Sequence, residues 1–289
     1  MDDRYDIDNN ENNSIPIYHE NPEVGNNNSG KKKGILAALG GLVAIMAKFK
    51  VGLLLLLGKL KFLFILLKLG KILTTSGSML LMILIYAKLY GWPFGIGFVI
   101  LLFFHEMGHY ITAKRLKLDV SGPVFIPFLG AFINMKEQPN DAVIESKIAL
   151  GGPVLGSIAS LTCVLLYWGT NKDFYLALAY SGFIINLFNL IPVHPLDGGR
   201  IVSSISTKIW LIGIPVMLLV LIKYFNPFLL IFLVLGAVQA FHQWKSPDVE
   251  YYSVKPSTRI IFGISYFGLL ALLAVGLIYI HNLQGYLIH

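Results

Sequence analysis

The chain has 289 residues, of which 55% are apolar and only 13% are charged. Soluble domains carry about 25% charged residues, and the mean hydropathy of +0.68 lies far on the membrane side. These values exclude an ordinary soluble domain and predict an all-α polytopic membrane protein. The net charge is +7. Basic residues cluster beside apolar segments. We therefore interpret the positive charge as a marker of the cytoplasmic side of the membrane and of contact with the lipid bilayer, and not as a sign of nucleic-acid binding.

The N-terminal quarter of the chain divides into two predicted segments. Residues 1–30 are rich in Asn and acidic residues and lack apolar periodicity, which predicts a disordered tail. Residues 31–75 are apolar but interrupted by lysines. We expect interfacial helices there, whose lysines reach the lipid surface, and a spanning hairpin is the alternative. The basic run at its start places the N-terminus in the cytoplasm.

Seven apolar segments follow, most of them near the roughly 20 residues that a spanning helix needs. They are residues 76–91, 93–113, 147–168, 174–191, 209–224, 227–243 and 259–281. The sequence therefore predicts about six to seven transmembrane helices, grouped as a core at 76–208 and a C-terminal set at 209–289. The fifth and sixth segments are separated at Asn226–Pro227. When the spans alternate, most connecting Lys and Arg residues fall on one side, which indicates the cytoplasm.

The connection between the second and third spans, residues 118–146, is not simply polar. Residues 124–126 and 131–133 are strand-like, and glycines and prolines interrupt them. Irregular backbone at membrane depth is tolerated only where it is buried in protein or lines a wet cavity. We therefore expect a small re-entrant, strand-like segment at this position.

The second span contains the sequence His105-Glu106-Met107-Gly108-His109. Residues four apart lie on one face of a helix, so both imidazoles can bind one metal ion. Glu106 lies beside them, where it can act as a general base. Ionisable residues within an apolar span are energetically costly and usually mark a functional site. Their position here therefore supports a metal site at these residues.

A second motif, residues 189–200, follows the fourth span and ends in Asp197, Gly198, Gly199 and Arg200. Its two prolines cannot continue an ordinary helix. The glycines permit unusual backbone angles. We expect an unwound segment that turns Asp197 inward as a third metal ligand, leaving a fourth position open.

Together the two motifs resemble the site-2 protease family of intramembrane zinc metalloproteases. That family pairs an H-E-x-x-H helix with a downstream N-x-x-P-x-x-x-L-D-G segment. The matching positions are His105, Glu106, His109, Asn189, Pro192, Leu196, Asp197 and Gly198. The resemblance implies that His105, His109 and Asp197 bind one Zn²⁺ ion and that Glu106 is the catalytic acid/base.

The resemblance also implies a substrate and a location. The expected substrate is a membrane protein with a single spanning helix, cut within or near that helix in regulated intramembrane proteolysis. Because the motif helix ends at Lys114 and Arg115, we expect the site to open toward the cytoplasm. The re-entrant segment could pair with an unwound substrate by strand addition. Three asparagines are candidates for substrate binding or for orienting the site: Asn134, Asn186 and Asn189.

Three alternatives stay open. In other membrane metalloproteases a glutamate is the third ligand, and Glu137 or Glu145 could serve here. His194 could be a rival to Asp197. The third alternative is not a protease: it is a membrane metal or proton transporter with a path lined by His and Asp. We find no inverted repeat of the kind that many transporters carry.

Overall fold

A computed structural model describes residues 75–287 apart from Phe225. The predictions for residues 1–30 and 31–75 concern a part of the chain that, Thr75 aside, lies outside the described residues. A helix occupies each of the seven predicted positions. The helices are α1 Thr75–Tyr90, α2 Trp92–Arg115, α3 Ala142–Thr170, α4 Asp173–Asn189, α5 Asp197–Ser203, α6 Trp210–Lys223, α7 Pro227–Lys245 and α8 Pro256–Leu287, where α5 is a short helix that the sequence did not predict.

Four of these helices are long and apolar enough to cross a membrane: α2, α3, α7 and α8. Their exposed side chains include large apolar groups such as Val238 of α7, which is 59% exposed, and Ile264 of α8, which is 71% exposed. The chain is therefore a multi-pass membrane protein, since so much exposed apolar surface is unfavourable in water. The count of six to seven spans stays a prediction.

The helix ends follow local capping chemistry. The Asp141 carboxylate accepts a hydrogen bond of 2.7 Å from the Ile144 amide and caps α3, and Asn226 caps α7 in the same way through the Phe228 amide at 3.0 Å. Side-chain oxygens at this position satisfy amides that a helix leaves free. Asn226 and Pro227 thus separate α6 from α7, as the sequence predicts.

The motif helix α2 packs most extensively against α3, and glycines set the distance between them. A Cβ atom at Gly108 would collide with the carbonyl of Gly151, and one at Gly152 would collide with the ring of His109. Helices in a membrane associate through close packing of small residues, because lipid offers no hydrophobic driving force between them. These glycines therefore allow the His109 ring to fit between α2 and α3.

The re-entrant segment predicted between α2 and α3 forms a two-stranded antiparallel sheet. Strands β1 Val124–Ile126 and β2 Gly130–Phe132 pair in the register Val124 with Phe132, and a further bridge joins Val120 to Met135. The buried ring of Phe125 packs with Met82, Val99 and Leu102 between α1 and α2, and the Phe125 amide donates to Ser78 Oγ at 3.1 Å. The small hairpin is thus fixed beside the motif helix.

The C-terminal helix α8 closes the other side of the core. Its buried residues Tyr266, Leu273 and Ile280 recur every seven positions and form one stripe of the helix. That stripe belongs to the same apolar cluster as Phe183 of α4. The Tyr266 hydroxyl donates to the Leu190 carbonyl at 2.6 Å, directly after α4 ends.

We expect Gly108→Ala to destabilise the protein by about 1–3 kcal/mol, the usual effect of overpacking, because the added methyl group meets backbone atoms of α3 that cannot move independently. The measurement is thermal unfolding of the purified protein in detergent. The matched control is Gly268→Ala in α8, where a Cβ atom meets nothing within 4 Å. Equal unfolding temperatures for the two variants would contradict the close contact of α2 and α3.

Candidate metal centre

Three buried side chains from two distant parts of the chain meet in the core. His105 and His109 lie one turn apart on α2, and Asp197 is the first residue of α5. Their exposed fractions are 3%, 6% and 8%. Within the part of the chain that the structure describes, they form the one group of His, Cys, Asp and Glu residues whose ligand atoms lie close enough to hold a metal ion.

The three ligand atoms form an equilateral triangle. Nε2 of His105 lies 3.2 Å from Nε2 of His109, and each of these nitrogens lies 3.2 Å from Oδ2 of Asp197. Metal–ligand bonds of 2.0–2.1 Å at tetrahedral angles place ligand atoms about 3.3 Å apart. The triangle therefore has the size of one face of a tetrahedral metal site.

The hydrogen bonds of the other ring nitrogens determine where the protons are. Nδ1 of His109 contacts the carbonyl oxygen of Ile148 at 2.8 Å, so this nitrogen must donate. Nδ1 of His105 contacts Oδ1 of Asn186 at 2.9 Å. The Asn186 amide nitrogen donates to the Gly182 carbonyl at 2.7 Å, which fixes its oxygen toward His105.

In the neutral histidines, both Nε2 atoms therefore carry lone pairs, and they face each other and a carboxylate at 3.2 Å. Three electron-rich atoms this close repel one another in a buried site unless a metal ion or a proton lies between them. Hydrogen bonds from Nδ1 that select Nε2 as the ligand are also the usual support of metal-binding histidines. The donor set thus fits a metal ion held by two imidazoles and one carboxylate.

The segment that carries Asp197 is unwound, as predicted, but over a shorter stretch. Helix α4 ends at Asn189, residues 190–196 are not helical, and α5 begins at Asp197 itself. Gly198 and Gly199 permit unusual backbone angles but do not adopt a positive φ here, because both lie in α5. Their small size is needed for close contact. A Cβ atom at Gly198 would collide with the Leu190 carbonyl, and one at Gly199 would collide with the backbone of His194.

Side chains from later parts of the chain satisfy the carbonyl groups around this unwound segment. The bonds are Tyr266 Oη to the Leu190 carbonyl at 2.6 Å, Trp210 Nε1 to the Gly199 carbonyl at 2.9 Å, and Arg259 Nη1 to the Ile205 carbonyl at 2.6 Å. Irregular backbone at membrane depth requires such partners. These bonds therefore fix the position of α5 and, with it, that of Asp197.

A second set of contacts ties α5 to the start of α3. The Ser146 hydroxyl donates to the Arg200 carbonyl at 2.8 Å. The Arg200 guanidinium lies 3.7 Å from the Glu145 carboxylate, which also accepts a 2.8 Å bond from the Tyr251 hydroxyl. Glu145 is thus engaged away from the ligand triangle, and Glu137 is exposed. The alternative that either glutamate is the third ligand is not supported.

Glu106 lies beside the triangle without joining it. Glu106 as a whole is 6% exposed. Its carboxyl interacts with the charges of His105 and Asp197 and with the backbone of Ile133, directly after β2. The hairpin therefore meets the candidate general base. Asn134, one residue further on, is exposed, and its carbonyl accepts a 3.0 Å bond from the Ser121 amide.

The remaining candidates separate by their contacts. Asn186 binds His105 directly, whereas Asn189 is half-buried at the last residue of α4. His194 is not part of the ligand group: its Nε2 lies 3.4 Å from Ser203 Oγ and its ring meets Trp210 edge to face. Burial, with a further effect of the Arg200 charge, lowers the pKa of His194 to about 4, so this ring is neutral at neutral pH.

Sequence reasoning missed three groups that hold the site together: the Ile148 carbonyl, the Trp210 indole and the Tyr251 hydroxyl. A backbone carbonyl carries no sequence signal. The two aromatic residues could have been flagged only as polar-tipped rings near the motif, since such rings find a hydrogen-bond partner when buried.

Comparison with known proteins agrees with this geometry. A sequence model of peptidase family M50 matches residues 93–172 and 165–215, which include α2, the hairpin, α3, α4 and the Asp197 segment. Residues 93–215 are thus similar to peptidase family M50. This confirms the resemblance to the site-2 proteases that the two motifs indicate.

Two curated relatives match part of the chain. A zinc metalloprotease of Methanocaldococcus jannaschii is 32% identical over 110 residues, which are 36% of this chain and 31% of the relative. A probable chloroplastic zinc metalloprotease of Arabidopsis thaliana is 27% identical over 163 residues, 40% of this chain and 30% of the relative. The chain thus matches less than a third of the length of each relative.

We expect Asn186→Ala to weaken binding of a divalent metal ion about 10–100-fold, the usual effect of removing the partner of a metal-binding histidine. The cause is the loss of the 2.9 Å bond that orients His105. The measurement is competition between the purified protein and a chelator of known affinity. Asn189→Ala, the same change three residues later, should leave the affinity unchanged, and equal losses in both variants would contradict the role of Asn186.

Proposed function

We propose that this protein is a zinc metalloprotease of the site-2 type, which hydrolyses peptide bonds in or near the transmembrane segments of membrane-protein substrates. His105, His109 and Asp197 hold one Zn²⁺ ion, and Glu106 is the catalytic acid/base. The observation that carries the proposal is the 3.2 Å triangle of two Nε2 atoms and one carboxylate oxygen. The M50 match and the relatives named zinc metalloproteases support the same activity.

Zinc, when bound, supplies a Lewis acid that polarises the scissile carbonyl and makes water acidic enough to lose a proton near neutral pH. Glu106 performs the proton transfers. Its carboxylate takes a proton from the attacking water as the carbon–oxygen bond forms, and returns it to the amine nitrogen as the carbon–nitrogen bond breaks. Glu106 does not ligate in this arrangement, which leaves it free to carry the proton.

The position of the β1–β2 hairpin beside Glu106 supports binding of the substrate as an extended backbone. Residue Ile133 follows the end of β2 and lies beside Glu106. An unwound segment of substrate can pair with such a strand through main-chain hydrogen bonds. We propose that a single spanning helix unwinds at this strand before cleavage and that Asn134 contacts the substrate backbone there.

The charges around α2 support a site that opens toward the cytoplasm. Lys114 and Arg115 form the last turn of α2. They lie five or six residues after His109, about 7–9 Å along the helix axis. Since basic residues flanking a span mark the cytoplasmic side, water would reach the ligand triangle from that side. The N-terminus, with its basic run at 31–33, belongs on the same side.

The test is zinc content and cleavage of a model single-span substrate, measured for the purified wild type and for Glu106→Gln. We expect about one zinc per chain in both proteins and cleavage lowered at least 100-fold in the variant, because only the proton carrier is lost. The matched control is Glu137→Gln, which removes an exposed carboxylate from the loop after the hairpin and should cleave normally.

Two results would contradict the proposal. If the wild type binds no metal, His105, His109 and Asp197 do not form a zinc site. Equal cleavage by the wild type and by Glu106→Gln would exclude Glu106 as the proton carrier. Bound metal without any cleavage, together with metal uptake into vesicles that contain the protein, would favour the transporter.

A further inference from the structure

Helices α6 and α7 border a groove of about 640 Å³. Its walls are apolar: Leu211 and Ile214 come from α6, and Ala237 and Ala240 come from α7. The two alanines leave the space open, because their side chains end at Cβ. The volume falls in the range of 300–1,000 Å³ that is typical of sites for small molecules.

The polarity of the groove changes along its length. Thr207, Lys208 and Gln243 line it at one end, where α6 begins and α7 ends. One and two turns further along both helices, the lining residues are aliphatic. The groove therefore has a polar mouth and an apolar interior, which is the polarity pattern of a phospholipid.

We propose that this groove binds an anionic phospholipid, with an acyl chain between α6 and α7 and the headgroup phosphate at Lys208. Lys208 is the one charged residue among the described residues that line the groove, and it forms no ion pair with any of them. Basic pockets between transmembrane helices are a known setting for anionic headgroups, and each Lys near the surface contributes about 1 kcal/mol.

The surroundings of the groove favour lipid as the occupant. Only 11% of the spanning window of α7 is buried within the protein, so the bilayer covers the rest of this helix. Trp244 lines the mouth and is 82% exposed. Tryptophan is enriched where the headgroups meet the acyl chains, which places the mouth of the groove at headgroup depth.

The size of the groove argues against a spanning substrate helix. A helix about 10 Å wide that rises 1.5 Å per residue fills roughly 120 Å³ per residue. A volume of 640 Å³ thus holds about five residues of helix, far fewer than the roughly 20 that a span requires. An acyl chain, which is thin and flexible, meets no such limit.

One wall of the groove also holds the segment that carries Asp197. Trp210 lines the groove, and its indole nitrogen donates to the Gly199 carbonyl at 2.9 Å. Gly213 of α6 abuts the Pro192 carbonyl, and Gly236 of α7 abuts Val193, so both helices pack directly on the unwound segment. A lipid between α6 and α7 therefore stabilises the helix pair against which the Asp197 segment rests. This functional consequence rests on the proposed protease activity, whereas lipid binding itself does not.

The test is native mass spectrometry of the purified protein, offered phosphatidylglycerol or phosphatidylcholine of the same chain length. We expect the wild type to retain one phosphatidylglycerol in preference to phosphatidylcholine. Lys208→Gln should weaken retention of phosphatidylglycerol about fivefold, the change that corresponds to about 1 kcal/mol. The matched control is Lys223→Gln at the opposite end of α6, which should retain the lipid as the wild type does.

A second variant, Ala240→Phe, fills the apolar interior and should abolish retention of both lipids while Lys208 is intact. Equal retention of the two lipids by the wild type, or equal behaviour of Lys208→Gln and Lys223→Gln, would overturn the proposal. Zinc content measured on the same samples separates the two claims. Bound zinc without selective lipid retention would reject only the lipid-binding proposal. Selective lipid retention without bound zinc would reject only the proposed protease activity.

Discussion

The ligand triangle depends on one electrostatic constraint. Because Nδ1 of His105 and of His109 each donate to an oxygen, both Nε2 lone pairs must point at each other and at the Asp197 carboxylate. In a buried site that arrangement needs a metal ion or a proton between the three atoms to offset their repulsion. The acceptors for Nδ1 come from Asn186 of α4 and Ile148 of α3, so three helices together determine which atoms face the metal position.

The surrounding structure solves a second problem, which is an unwound chain inside a membrane protein. An unsatisfied backbone group in hydrocarbon costs several kcal/mol. After α4 ends, the Leu190 carbonyl avoids this cost because it accepts from Tyr266. Trp210 and Arg259, which also come later in the sequence, donate to the carbonyls of Gly199 in α5 and of Ile205 after it. The C-terminal helices therefore serve the centre without contributing a ligand. This arrangement also explains how a lipid between α6 and α7 can influence a site that it does not touch.

Much of this arrangement could be predicted from the sequence, since its signals are local. The spacing of His105 and His109, the strand-like residues of the hairpin and the break at Asn226–Pro227 each depend on near neighbours in the chain. The partner of Asn186 could not be predicted, because an amide on a helix face carries no record of the distant ring that it meets. Gly198 shows the same limit: the sequence shows only that glycine permits unusual backbone angles, whereas the close approach of the Leu190 carbonyl is what requires glycine.

The central claim is that two imidazoles and one carboxylate from separate motifs bind a single zinc ion. X-ray absorption at the zinc edge, recorded on the purified wild type and on Asp197→Ala, tests it most directly. We expect nitrogen and oxygen neighbours at about 2.0–2.2 Å with two imidazole signatures in the wild type, and at least a tenfold loss of zinc affinity in the variant. A sulfur shell, or zinc that persists in Asp197→Ala but is lost in Glu145→Ala, would contradict the account.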